Sequence, residues 1–230
     1  MWNGKKKAIT FSFDDGVWQD RPLIAILNEN GLKGTFNLNS DCFGSSNSYE
    51  AFGRMICRDR LQENELKEVY DGHEVAVHTL THVNLTQQTE EEIIRQVDED
   101  RKNLERIFGY PVVGMAYPCG GVNNDERVAS IIGANTPIRY ARTITTTHTF
   151  DLQKDSLLRF NATAHFLDPE IENIVDRFLE MTPDKEQLLY IWGHSYELDA
   201  RSAWDRFEKL CEKLANHADI FYGTNREVLL

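Results

Sequence analysis

Ile9-Thr10-Phe11-Ser12-Phe13-Asp14-Asp15-Gly16 runs from an apolar, β-prone segment straight into two carboxylates and a glycine. Ala8 to Phe13 reads as a strand, in which neighbouring side chains point to opposite faces. At its end the chain turns, so Asp14 and Asp15 can both be aimed into one cleft. Adjacent anions repel, and such a pair is useful where a cation neutralises one and the other serves as a base. The simpler reading of this segment alone is an Asp-Asp-Gly turn closing a strand. Two later stretches decide between them: His78-Thr79-Leu80-Thr81-His82 and Ile191-Trp192-Gly193-His194.

Outward from strand one, Arg21–Asn30 reads as a helix with proline near its first turn and Gly31 as its stop. Gly34–Asn39 alternates as a second strand. Residues 40–58, rich in Ser, Gly and Asn, read as a long loop over one end of the domain. Asn64–Tyr70 is a short helix and Glu74–His78 strand three. Thr89, with Glu92 three residues on, has the form of a capping box before a helix to Phe108. Val112–Tyr117 is strand four, Asn124–Ile132 a helix, Ile138–Ile144 strand five and Leu157–Ala162 strand six. Asp168 is expected to cap a helix running to Met181. Leu188–Trp192 is strand seven, followed by a helix over 202–216 and a short strand at Ile220–Tyr222. Strand and helix alternate with no linker or repeat, which implies one α/β domain over 1–230 with a parallel sheet. Asp14/Asp15, His78/His82, Pro118-Cys119 and His194 each follow a strand. Seven or eight β/α units in this length suggest a compact (β/α) barrel, in which these ends meet at one face.

Composition narrows the function. Hydrophobic residues make up 41% and charged residues 27%, ordinary for a globular protein. A formal net charge of −12 argues against nucleic acid or an anionic membrane as partner. No stretch approaches the ~20 apolar residues of a membrane span. The run after Lys5-Lys6-Lys7 is too short for a signal-peptide core. The expected location is therefore cytoplasmic. Cys42, Cys57, Cys119 and Cys211 contain no Cys-x-x-Cys pair. A Cys42–Cys57 bridge could close a loop, against the rarity of cytosolic disulfides.

His78 and His82 share a face if one helical turn follows strand three. Two histidines and one carboxylate leave an open position on a divalent metal, with either aspartate as third ligand and the other as base. Zinc is the first expectation, and cobalt, nickel or manganese suit the same donors. His194 reads as a general acid, because its ordinary pKa lies near neutrality. His73 and His217 read as structural or solvated. His148 and His165 have no comparable setting. Glu197 and Asp199 read either as cleft residues selecting a polar substrate or as a solvated loop. Trp18 and Trp192 could stack on a sugar ring or belong to the core.

Phe13-Asp14-Asp15-Gly16, His78-Thr79-x-x-His82, Tyr117-Pro118-x-Gly120 and Ile191-x-x-His194 resemble successive motifs of the polysaccharide deacetylase family (carbohydrate esterase family four), from residue 8 to about 200. The resemblance implies a distorted seven-stranded barrel and a metal-dependent deacetylase. It implies Asp14 as base, His194 as acid, and Asp15, His78 and His82 as metal ligands. It further implies the Cys119 N–H as an oxyanion donor and Ile191 as the apolar wall near the acetyl methyl, with Tyr117, Pro118 and Trp192 at the substrate. The substrate would be an N- or O-acetylated sugar or glycan. A linear or cyclic amide on the same scaffold is the first alternative, and an inactive carbohydrate-binding barrel the second. The chain departs from the family in having Ala116 where an arginine normally pairs with the base, Cys119 where an aromatic residue is usual, and no clear fourth motif. Arg142 or Arg159 could supply the missing charge, and Arg142 is the expected substitute.

Overall fold

The structure, a computed structural model, describes residues 2–230. Its strands are β1 Lys7–Asp14, β2 Gly34–Leu38, β3 Ser48–Ala51, β4 Arg54–Cys57, β5 Glu74–Val77, β6 Gly114–Ala116, β7 Tyr140–Thr146, β8 Phe160–Ala162, β9 Ala164–His165, β10 Gln187–Gly193 and β11 Ile220–Tyr222. The main sheet runs β8-β7-β6-β5-β2-β1-β10-β9, and every pairing in it is parallel. β11 pairs with the lower part of β1, at Lys7–Ile9, while β2 takes the upper part, at Phe11–Asp14.

The two ends of this path, β8 and β9, are separated by Thr163 alone. The Thr163 N–H donates to the Tyr190 carbonyl of β10 at 2.9 Å, and its own carbonyl accepts from the His148 N–H at 3.0 Å. One extended segment, 160–165, thus serves both edges. With β8 and β9 counted as one position, β1, β2, β5, β6, β7, β8–β9 and β10 form a distorted ring of seven, as the alternation of elements implied.

The strand period of two sorts the residues into two faces. Ile9, Phe11 and Phe13 of β1 point outward into the large apolar core, where Phe11 and Phe13 meet the Phe207 ring edge-on. Thr10, Ser12 and Asp14 alternate with them and are buried on the inner face. The bottom of the ring is filled by Trp2, Ala8, Leu188, Val228 and Leu229. The last two belong to a C-terminal helix, Asn225–Leu229, whose Thr224/Glu227 capping box was there to be read in the sequence.

Four expectations change. Residues 40–58 are not a plain loop: they hold the antiparallel hairpin β3–β4, turned by Phe52 and Gly53 with φ of 50° and 71°. Two consecutive positive φ values give a two-residue hairpin turn, reached here without the usual Asn-Gly signal. The helix expected from Asp168 starts at Ile171, and the Asp168 carboxylate instead accepts from the Glu170 N–H in the preceding turn. Leu157–Arg159 is 3-10 helix, so the sixth strand begins at Phe160. Thr89 does cap the long helix Glu90–Phe108, but Glu92 turns to Arg95 and Gln96 rather than back to the cap. All four cysteines are free thiols. No helix of the described residues is long and apolar enough to cross a membrane.

Candidate active site

The C-terminal ends of the ring strands surround a cavity of about 310 Å³ lined by Asp14, Asp15, Arg58, His78, His82, Tyr117, Cys119, Trp192, His194 and Tyr196 among others. A larger cavity, about 770 Å³, opens on the flank between helix Glu126–Asn135 and the segment Lys154–Arg159. It lies outside the ring and contains none of these groups. The smaller one is therefore the candidate site.

Asp15 follows the end of β1 in a left-handed conformation, φ 88°, and Thr79, His82 and Cys119 share that unusual region at 66°, 59° and 70°. Such strained positions persist where surrounding contacts over-determine them, and they cluster at functional sites. Asp15 Oδ1 lies 3.3 Å from His82 Nε2 and 3.9 Å from His78 Nε2. The three donor atoms fall within 4.8 Å of one another. His78 Nδ1 lies 2.9 Å from the Ala116 carbonyl. That carbonyl only accepts, so Nδ1 carries the proton and Nε2 keeps a free lone pair. Burial pushes His78 down to about 4, so the ring is neutral near pH 7, as a ligand must be. For Asp15, burial works to raise the pKa, but the His82 hydrogen bond and the Arg60 charge hold it well below the ordinary carboxylate range. This donor set, two imidazoles and a carboxylate, fits a divalent metal. Arg60 was not foreseen: its Nη2 donates to the same Asp15 oxygen at 3.0 Å.

Asp14 is one residue away and its surroundings differ. Arg142, fully buried within β7, donates through Nη2 to both Asp14 oxygens. Asn37 Nδ2 donates to Oδ1 at 2.8 Å. Burial alone would raise this carboxyl, but the Arg142 charge, with His78 and His194, carries it below its ordinary value. Arg142 thus stands where the absent arginine at Ala116 would be needed. Arg159 does not: it pairs with Asn124 and Glu126 at the surface.

His194 leaves β10 directly after Gly193. A Cβ on Gly193 would lie 2.0 Å from the Phe166 ring, so the position has no room for a side chain. His194 Nε2 faces Asp14 Oδ2 at 3.9 Å, while Nδ1 lies 3.3 Å from Glu197 Oε2. The same Glu197 oxygen accepts from the His194 backbone N–H at 3.0 Å and lies 2.9 Å from His165 Nε2. Burial opposes a charge on His194, but the Glu197 hydrogen bond and charge outweigh it and push His194 up to about 9. Burial likewise opposes a charge on Glu197, and the two histidines take it far below the ordinary range. Glu197 is therefore part of the site and not a solvated loop. Its spacing of three from His194, at the start of helix Tyr196–Arg201, is the signal that could have found it. His165 joins the same cluster through the strand segment that closes the ring. Asp199 instead accepts from Gln19 and Trp204.

Tyr117, Cys119 and Trp192 line the cavity. Pro118 is buried between the first two, with its carbonyl held by Asn123. The Cys119 N–H has no acceptor among the described residues. Ile191 is the correction. It is fully buried in the outer core with Phe11 and Leu189, because it sits one residue out of phase with the inward-facing Trp192. The apolar wall of the cavity is Trp192, under which the Arg142 guanidinium packs at 4.4 Å, together with Ile144. Trp18 is 44% exposed and lies outside the cavity lining.

Fold and site together define a parallel α/β barrel with a carboxylate–histidine cluster at the C-terminal ends of its strands. A family model described as polysaccharide deacetylase matches residues 2–135, more than half of the sequence. The chain belongs to the polysaccharide deacetylase family. No curated protein sequence matches it. Among solved structures it is similar to a polysaccharide deacetylase from Bacillus cereus, with 23% identity and a TM-score of 0.52. That match covers 65% of this chain and 44% of the other, so this chain spans less than half of that protein's length. A family 4 carbohydrate esterase from Streptomyces lividans in complex with acetate is similar over 96% of this chain and 93% of its own, with 15% identity and a TM-score of 0.57. A family 4 pseudoenzyme from Bacillus anthracis is similar over 98% and 66%, with 16% identity and a TM-score of 0.56. At these identities the likeness is one of fold, and it extends to a pseudoenzyme.

Proposed function

We propose that this chain is a metal-dependent deacetylase acting on an N- or O-acetylated sugar or glycan. The observation that carries the reading is the buried Asp14–Arg142 pair facing His194 across the cavity that also holds Asp15, His78 and His82. The supplied arginine speaks against the inactive-barrel reading, which drew its support from the loss of that charge. Asp15, His78 and His82 would hold the cation, zinc first, although nitrogen and oxygen donors suit several metals. When bound, the cation supplies Lewis acidity that polarises a carbonyl and acidifies water.

The chain's own residues do the rest. Asp14, kept ionised by Arg142, accepts a proton from the attacking water. The C–O bond to water forms as the carbonyl becomes an oxyanion, toward which the free Cys119 N–H donates. His194 starts protonated, held so by Glu197, and gives its Nε2 proton to the leaving nitrogen or oxygen as the bond to the acyl carbon breaks. Acetate and the free amine or alcohol result. Tyr117 and Trp192 give the cavity an apolar wall for the substrate.

The test is acetate release from acetylated sugars, oligosaccharides and simple acetyl esters, with the protein loaded with zinc or cobalt and its metal content measured. Release that requires the metal supports the reading. No release with metal bound would sink it and favour the amide substrate.

A further inference from the structure

One cation in the cavity has no work in that scheme. Arg58 follows directly on the hairpin β3–β4 and lines the cavity beside Tyr196 and His194. Its guanidinium carbon lies 4.7 Å from the Tyr49 ring centre and 5.2 Å from that of Tyr196, whose rings meet edge-on at 81°. Two aromatic faces fix the direction of the planar head without consuming its hydrogens. No carboxylate pairs with it, unlike Arg60 and Arg142, each bound to one of the two aspartates. Beyond the Tyr196 hydroxyl beside it, its head has no hydrogen-bond partner among the described residues, and its Nε is buried without an acceptor. In a chain of net charge −12, acids to neutralise it are plentiful, yet none is placed there. Glu197, the acid nearest in the chain to Tyr196, is committed to His194 and His165.

A held, unpaired guanidinium in a cavity is a receptor for a planar anion, because its fork matches a carboxylate in two-point contact. We propose that Arg58 is the specificity-determining residue of this site and that the substrate is an acetylated sugar that also carries a carboxylate. The proposal rests on the deacetylase reading and narrows its substrate class. The hairpin is then a specificity element, since its register at Ser48↔Cys57 fixes where Arg58 leaves the strand.

The experiment compares N-acetylmuramic acid, which bears a carboxylate, with N-acetylglucosamine, which does not, using metal-loaded wild type, Arg58→Gln and Arg58→Lys. The expected wild-type preference for the acidic sugar is about tenfold or more in kcat/KM, expressed in KM and shrinking as salt is raised. Arg58→Gln should bring the ratio of the two substrates towards one, and Arg58→Lys should keep part of it. Equal use of both sugars by the wild type overturns the proposal. So does an equal loss on both in Arg58→Gln, the signature of a residue that only clamps the hairpin. If neither sugar yields acetate, the deacetylase reading has failed, and calorimetry with glucuronate against glucose still judges Arg58. Tighter binding of glucuronate that disappears in Arg58→Gln sustains the receptor, and equal binding removes it.

Discussion

Above its apolar floor the inside of the barrel carries buried polar groups, and its two halves treat them differently. In the lower half Asn225 donates to Tyr190 and to Ser12 and accepts from Thr10. Glu74 accepts from Thr35, Tyr140 and the Arg226 N–H. Donors and acceptors there meet one another. In the upper half, Asn37 Oδ1, Arg142 Nε, Trp192 Nε1 and Arg58 Nε are buried without partners. Donor atoms of Asp15, His78 and His82 also converge there within 4.8 Å of one another. Ser12 joins the halves, accepting from Asn225 below and from Asn37, which in turn donates to Asp14, above. Residue types alone do not distinguish structure from site. Completed hydrogen bonding marks the former, and unspent donors and acceptors facing a cavity mark the latter.

The contrast is open to attack. The largest effect is expected from Arg142→Met, which leaves the Asp14 carboxylate buried without its cation. Removing one partner of a buried pair costs about 3–5 kcal/mol, measured by denaturant unfolding. A loss below ~1 kcal/mol would show that the pair is not what holds the upper half together. In the wild type, Asp14 has a lowered pKa, so its contribution is present above pH 3.8 and is lost as acid protonates it below that. Asn225→Ala should cost less, about 1–3 kcal/mol, by stranding the hydroxyls of Thr10 and Tyr190. Its kcat should stay near the wild-type value. A collapse of kcat with stability intact would mean that the lower half is also catalytic.

Glu197→Gln should act on pH dependence more than on stability. His194 must hold its proton to act as an acid, so the rate falls as pH rises through its pKa. Against the effect of burial, Glu197 keeps that pKa at about 9, and without it the alkaline limb should retreat towards 6.5. An unmoved limb in the pH–rate profile would remove His194 from the acid role. The smallest effect belongs to Phe52→Ser at the hairpin tip, where Phe52 is 62% exposed and meets only the Arg201 head at 4.1 Å. Stability should stay within about 0.5 kcal/mol by thermal melting. A larger drop would mean that the hairpin is anchored at its tip rather than through Tyr49 and Ile56.

The ring of strands was legible because β1 and β10 are long apolar runs ending in turn residues, and period two sorted Asp14 from Phe13. The same period should have excluded Ile191, but the motif resemblance carried it into the site against its own phase. Arg142 was legible as a candidate because it lies on a strand next to the one bearing the Tyr117-Pro118 motif, where it pairs with Ala116. Glu197 was legible only as one of two readings, and Arg60 and His165 were not assigned to the site, since each reaches it through tertiary placement. Arg60 is held by a bridge to Val17, Glu197 sits on a helix too short to show a period, and His165 lies on the segment that closes the ring. The hairpin stayed hidden because its turn uses Phe52-Gly53, where left-handed backbone carries no sequence mark.

The most direct test is acetate release by metal-loaded Asp14→Asn beside wild type, with metal content and melting temperature measured on both samples. Asparagine keeps the shape of the side chain but accepts no proton. The expected result is a rate lower by about 10²–10⁴, as for loss of a general base, with metal content unchanged and the fold retained. A variant that holds the metal and releases acetate at the wild-type rate would contradict the account.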